Sequence, residues 1–191
     1  MPTPPVASTR ERIVAAAVEM TTSSGWAAVT MARLADAAGV SRQTVYNEVG
    51  SKPALAETMI LEELARFLQV VEQAFDAEPE DLTRAIERAV TDVLTYARAN
   101  KLLHAVVSAT HGADTELLPL LTTNAGSLLG AAKDVVSARV APYAPGIDAA
   151  HLDPAIDMVV RVVLSHVMQP SGSPEQTAAD LAWLSGHVLR G

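Results

Sequence analysis

The chain has 191 residues, no cysteine, 49% hydrophobic and 19% charged residues, and a formal net charge of −8. That length carries one sizeable core plus a small head, the apolar share excludes a disordered chain, and the lack of cysteine excludes a disulfide frame, a thiolate metal site and a thiol nucleophile. The acidity is uneven: residues 1–52 hold five Lys/Arg against four Asp/Glu, and residues 53–191 hold nine against eighteen, so only the head escapes net repulsion from a polyanion.

The first residues, MPTPPVASTR, form a Pro-rich arm without an apolar signal core, so the chain is expected to stay unexported. No apolar run reaches the ~18–20 residues of a membrane span, and a cytoplasmic place with no membrane partner is the expectation. Thr9 is placed as the cap of a first helix whose buried stripe is Ile13, Ala16, Ala17 and Met20. Arg10 and Arg12 oppose the dipole at its start; two roles stay open for them, contact with DNA phosphate or plain solvent exposure. Gly25 ends this helix, and Trp26 and Val29 anchor the chain that follows.

Thr30 to Lys52 reads TMARLADAAGVSRQTVYNEVGSK. Met31, Leu34, Ala35 and Ala38 share one helical face, and Thr30 caps it. Gly39 falls where the helix must end and φ turns positive, and Ser41 caps the next helix, RQTVYNEV. Val45 and Val49 hold that helix down, leaving Arg42, Gln43, Thr44, Tyr46 and Asn47 outward. This is the layout of a helix-turn-helix with its second helix in the major groove, although the same spacing also serves plain helical hairpins. Arg42 can take two acceptors on guanine, Gln43 can pair with adenine, and Thr44 can meet thymine. Thr30, Tyr46, Asn47 and Lys52 are the expected phosphate partners, with Ser41 beside them.

The segment resembles the N-terminal domain of the tetracycline-repressor family of bacterial transcription regulators. The resemblance runs over residues 9–56. Its residues are Arg12-Ile13, Ala16-Ala17, Gly25, Thr30, the run Ala37 to Ser41, Thr44-Val45-Tyr46, and Ser51-Lys52 with Leu55. It departs at Glu48-Val49-Gly50, where the family usually has an aromatic and Val49 must fill that slot. The resemblance implies a dimer on a palindromic operator and a ligand-responsive C-terminal domain.

The remaining chain reads as helices. Ser51 caps a fourth helix, with Pro53 in its first turn, that runs to about Asp76 as a rod of roughly 39 Å. A fifth runs from Leu82 to about Ala99, with Ile86, Val90, Val93, Leu94 and Ala97 inward, and a short sixth spans Lys101 to His111. Asp114 or Thr115 opens a seventh that reaches Val140, and Asp153 caps an eighth whose first residue is Pro154. Ser173-Pro174-Glu175-Gln176 is a capping box for a ninth. The expected fold is all-α, with nine helices. Residues 1–52 form the DNA-binding domain and residues 53–191 the effector-binding and dimerisation domain.

Catalysis is not expected, since no histidine pair has metal-ligand spacing and neither a phosphate loop nor a nucleophile elbow is present; no cofactor or metal is expected either. Polar residues on apolar helices suggest a ligand cavity instead. Its apolar lining would be Leu64, Phe67, Leu103, Val107, Leu121 and Val160, and His104, Ser108, Asn124 and Arg161 would orient the ligand. Each polar residue also has a plain alternative: solvent exposure, or for Arg161 a pair with Asp157 four residues earlier. Aromatics are only 4% of the chain, which favours a largely aliphatic effector with one polar end.

The head is weakly basic, so it makes few phosphate contacts and needs a second copy. The eighth and ninth helices carry more apolar surface than one internal face uses. Val163, Val167, Ala178, Ala182, Ser185, Gly186 and Leu189 are their expected contacts in a homodimer. The expected partners are thus double-stranded DNA, a second copy and a small-molecule effector. The alternative is a helical DNA-binding protein, architectural or division-linked, with no effector.

Overall fold

A computed structural model describes residues 7–110 and 125–189. Among them are nine α-helices and no strand: α1 (Thr9–Ser24), α2 (Met31–Ala38), α3 (Arg42–Val49), α4 (Lys52–Ala77), α5 (Leu82–Ala99), α6 (Lys101–Thr110), α7 (Ala125–Val140), α8 (Ala149–Met168) and α9 (Pro174–Val188). Short 3-10 turns lie at Trp26–Ala28 and Ala141–Tyr143. The expected start of the seventh helix, with Leu121 and Asn124, lies outside the described residues.

Two compact units result, the described parts of Met1–Glu63 with Lys101–Thr123 and of Leu64–Asn100 with Asn124–Gly191. In the first, α1, α2 and α3 close on one core. Ile13, Val29, Leu34, Val45 and Leu55 are its largest fully buried side chains, and Trp26, Leu102 and Val106 complete it. The first helix begins one residue earlier than expected. Ser8, not Thr9, caps it: the Ser8 hydroxyl accepts from the Glu11 amide at 3.2 Å, and the Glu11 carboxylate accepts from the Ser8 amide at 2.6 Å. Those two bonds form a reciprocal capping box and hold the Glu11 carboxyl below its usual range.

In the second unit α5 lies along α9. Ala85, Ile86, Ala89, Val90, Val93, Leu94 and Ala97 make the buried face of α5, as its periodicity predicts. Phe75, Val140, Ala178 and Leu181 join that core. Arg139 of α7 pairs with Glu72 at 3.1 Å and Asp76 at 2.6 Å on α4. Tyr143 donates to the carbonyl oxygens of Glu78 at 2.8 Å and Phe75 at 3.3 Å.

The eighth helix departs from expectation. Asp148 caps it, accepting from the His151 amide at 3.0 Å, so Asp153 and Pro154 lie within the helix. Pro154 has no N–H for the carbonyl four residues back, which costs one helical bond, and the apolar band from Ile156 onward carries the helix across that gap.

Candidate nucleic-acid interface

The turn between α2 and α3 is built by glycine and two caps. Gly39 has φ 65° and ψ 40°; its N–H donates to the Asp36 carbonyl at 3.3 Å and that of Val40 to the Ala35 carbonyl at 3.0 Å. This paired closure needs a left-handed residue, which only glycine adopts without strain. Thr30 Oγ1 accepts from the Arg33 amide at 3.2 Å, and Ser41 Oγ from the Thr44 amide at 3.0 Å. Both hydroxyls are exposed and keep a proton to donate, although Ser41 and Thr44 also share one bond at 2.8 Å.

Val45 and Val49 are 0% and 4% exposed and seat α3 on the core, Val49 filling the slot where an aromatic is usual. Arg42, Gln43, Tyr46 and Asn47 are exposed on the opposite side, and Thr44 is half-buried. Gln43 Nε2 donates to Asn47 Oδ1 at 3.0 Å, so base contact by Gln43 would exchange that bond for one to DNA. Lys52 heads α4 with its ammonium 4.9 Å from the centre of the Trp26 ring. Arg33 donates to the Ala28 carbonyl at 2.7 Å. An exposed polar helix fixed by a glycine turn and two buried valines is the working surface of a helix-turn-helix DNA-binding regulator.

Arg10 and Arg12 are both exposed, as one of the two open roles has it, and each also reaches a distant carbonyl. Arg12 donates to the Ala38 carbonyl, and Arg10 donates to the Glu48 carbonyl and to Thr58 Oγ1, the latter at 3.3 Å. These partners lie 26 to 48 residues away in sequence, beyond the reach of any local pattern.

The ligand candidates distribute differently. Phe67 meets Tyr96 edge-on at 4.8 Å, Leu64 is half-buried and Val160 is buried. Leu103 and Val107 are half-buried, and His104 and Ser108 are exposed. Arg161 is exposed and donates to Asp157 at 2.6 Å. Asp157 also faces Lys133 at 3.3 Å, and the bond from Arg161, with that from Lys133, holds its carboxyl below the usual range.

The dimer candidates lie against the core of the single chain. Ala178, Ala182, Ser185 and Gly186 are buried within the single chain, in the unit where α9 lies along α5, and Val163, Val167 and Leu189 pack on the second core. Small side chains let α9 approach α5 closely, so this stripe serves the fold. The solvent-facing apolar residues are Met158, Val162, Leu164 and Met168 on α8, and Trp183, Leu184 and Val188 on α9. The signal for them was present as large apolar residues set opposite the small stripe.

Comparison with known proteins agrees with this class. The family model for bacterial regulatory proteins of the tetR family matches residues 13–59, and that for the bacterial tetracyclin repressor C-terminal domain matches residues 81–187. The HTH-type transcriptional regulator AlkX of Mycobacterium tuberculosis (strain ATCC 25618 / H37Rv) is 30% identical over 179 residues, 92% of this chain and 82% of that protein. The crystal structure of the TetR family repressor AlkX from Dietzia sp. strain DQ12-45-1b, implicated in biodegradation of n-alkanes, is 27% identical with a TM-score of 0.73, covering 96% of each chain. The fatty acid degradation regulator FadR of Bacillus halodurans shares the fold, with a TM-score of 0.57 at 18% identity over 94% of this chain and 95% of that one. The chain belongs to the tetracycline-repressor family of bacterial transcription regulators. Among the described residues no helix is long and apolar enough to cross a membrane.

Proposed function

We propose that this regulator is a repressor that binds a palindromic operator as a homodimer and is released by a small, largely aliphatic effector. The observation that carries the reading is the pose of α3, with Val45 and Val49 buried and Arg42, Gln43, Tyr46 and Asn47 exposed. Arg42, Gln43 and Thr44 read bases; Thr30, Tyr46, Asn47 and Lys52 hold phosphate, with Ser41 fixing the start of the helix. The head of residues 1–52 does this work, and residues 53–191 serve pairing and effector binding.

The two copies pair through the outward faces of α8 and α9. Seven large apolar side chains there are 39–68% exposed in the single chain, and a second copy is what a two-fold operator demands.

The effector is an aliphatic chain with one polar end, met by Leu64, Phe67 and Val160 in the second unit. The low aromatic content supports this, as does the likeness to a repressor implicated in n-alkane biodegradation. Release requires the effector to prefer the form that does not fit DNA.

The test begins with selection of a binding site from random duplexes by the wild-type chain. Its affinity is then measured with and without medium- and long-chain alkanes, alcohols and fatty acids. Selection of a palindrome, and loss of affinity with one of these classes, is the expected result. A chain that selects a palindrome but responds to none of them would instead be a DNA-binding protein without such an effector.

A further inference from the structure

Arg10 and Arg12 lie in the first turn of α1, where the helix dipole disfavours a cation. Both side chains turn to the opposite end of another helix. Arg12 donates to the carbonyl of Ala38, the last residue of α2. Arg10 donates to the carbonyl of Glu48, the last but one of α3, and to Thr58 Oγ1 on α4. Thr58 donates in turn to the Ala54 carbonyl at 3.0 Å. Carbonyl groups in a last helical turn lack intrahelical partners and carry the negative end of the dipole, so a guanidinium satisfies both needs at once.

We propose that Arg10 is a positioning residue for operator recognition, acting through the Glu48 carbonyl to fix the tilt of α3 and making no contact with DNA. This rests on the reading of α3 as the base-reading helix. Val45 anchors α3 near its middle, while Arg42 and Gln43 lie at its start, six and five residues before Glu48, or about 8–9 Å along the axis. Val49 is buried as well, and two valines on one face still let the helix rock about the line through them, so a shift at the Glu48 end moves the base-reading end. Arg10 reaches both α3 and α4, so it fixes the angle between them with a forked group. Lysine supplies a charge but no fork.

The experiment compares wild type, Arg10→Ala, Arg10→Lys and Thr58→Val. Each is measured on the wild-type-selected palindrome and on a scrambled duplex of equal length, across a range of salt concentrations. Positioning predicts that Arg10→Ala and Arg10→Lys each lose about fivefold per head on the palindrome. The scrambled duplex and the salt slope stay nearly unchanged, and Thr58→Val gives a smaller loss of the same kind. Equal loss on both duplexes with the slope reduced by about 0.9 per head would make Arg10 a phosphate contact and overturn the proposal. Full recovery in Arg10→Lys, or an Arg10→Ala chain as selective as wild type, also overturns it. Should Arg10→Ala fail to fold, the lysine and valine variants carry the same comparison. A wild-type chain that selects no palindrome overturns the operator reading itself, whereas a selective wild type with an equally selective Arg10→Ala removes only the role of Arg10.

Discussion

The ammonium of Lys52 lies over the indole of Trp26, 4.9 Å from the ring centre. Lys52 is the first residue of α4, where the dipole repels a cation; the negative face of the indole offsets that repulsion. Trp26 is 3% exposed and fixed in the core, so the lysine stem has a rigid support. A long, flexible side chain is thereby held near one place before any phosphate arrives.

Lys52→Ala is therefore expected to weaken binding to the selected palindrome and to scrambled DNA alike, and to lower the slope of log affinity against log salt by about 0.9 per head. Arg42→Ala should instead cost about 1–3 kcal/mol on the palindrome alone and relax the preference at one base pair per half-site. Titrations of both duplexes at several salt concentrations check the pair. Equal losses on the two duplexes for Arg42→Ala would remove it from base reading.

Pairing and folding should separate on α9. Ala182 is 3% exposed, so Ala182→Glu buries a carboxylate without a partner and lowers the unfolding midpoint sharply. Trp183 is 65% exposed and Val162 is 39% exposed, so Trp183→Glu and Val162→Glu should leave a folded chain that sediments as a monomer and binds DNA poorly. Sedimentation and thermal unfolding on the same samples decide it. A dimeric Trp183→Glu, Val162→Glu double variant would place the interface elsewhere.

How far the head was legible follows from the range of its signals. Thr30, Gly39, Ser41, Val45 and Val49 act within one or two turns of themselves, and each takes the place its spacing implies. The bonds of Arg10 and Arg12 are tertiary, and nothing local distinguishes a guanidinium that reaches a carbonyl from one that reaches water. Asp153-Pro154 is itself a good cap and first residue, which draws the expected start of α8 five residues past Asp148, the cap it has. The small residues of α9 read as a close-packing stripe, and in the single chain α5 is the helix it lies along; the pattern alone does not tell that apolar face from one on a second copy.

Tyr143 should show itself at alkaline pH. Burial, with Asp76 and Glu78 nearby, raises its phenol above the ordinary value. A raised folded value gives stability that is fully present below the unfolded value of about 10 and lost as pH rises through the folded one. Tyr143→Phe removes the donor to the Glu78 and Phe75 carbonyls and should cost about 1 kcal/mol at neutral pH. It should also flatten the fall in stability above pH ~10. Urea unfolding at neutral and alkaline pH measures both; an equally steep fall in the variant would assign the alkaline limb to other groups.

The effector should respond to the shape of the second unit. The Phe67 and Tyr96 rings meet edge to face with their centres 4.8 Å apart, and enlarging Phe67 or Leu64 to Trp should weaken the aliphatic effector while leaving operator affinity without it nearly unchanged. By linkage, operator DNA must weaken effector binding by the factor by which effector weakens operator binding. Calorimetric titration of effector into free and DNA-bound protein tests the equality. An effector that binds tightly and leaves operator affinity unchanged would end the release mechanism.

The two sides of α9 differ in composition: Ala178, Leu181, Ala182, Ser185 and Gly186 are buried in the unit where α9 lies along α5, and Trp183, Leu184 and Val188 face solvent. A substitution on the outer side changes no buried contact with α5, so partner preference can drift while the fold stays under separate constraint. On the proposed mode of pairing, duplicated genes of this family could stop mixing their subunits through changes at Trp183, Leu184 and Val188 alone. Insulation between sister regulators in one cell would then require neither a new fold nor a new operator.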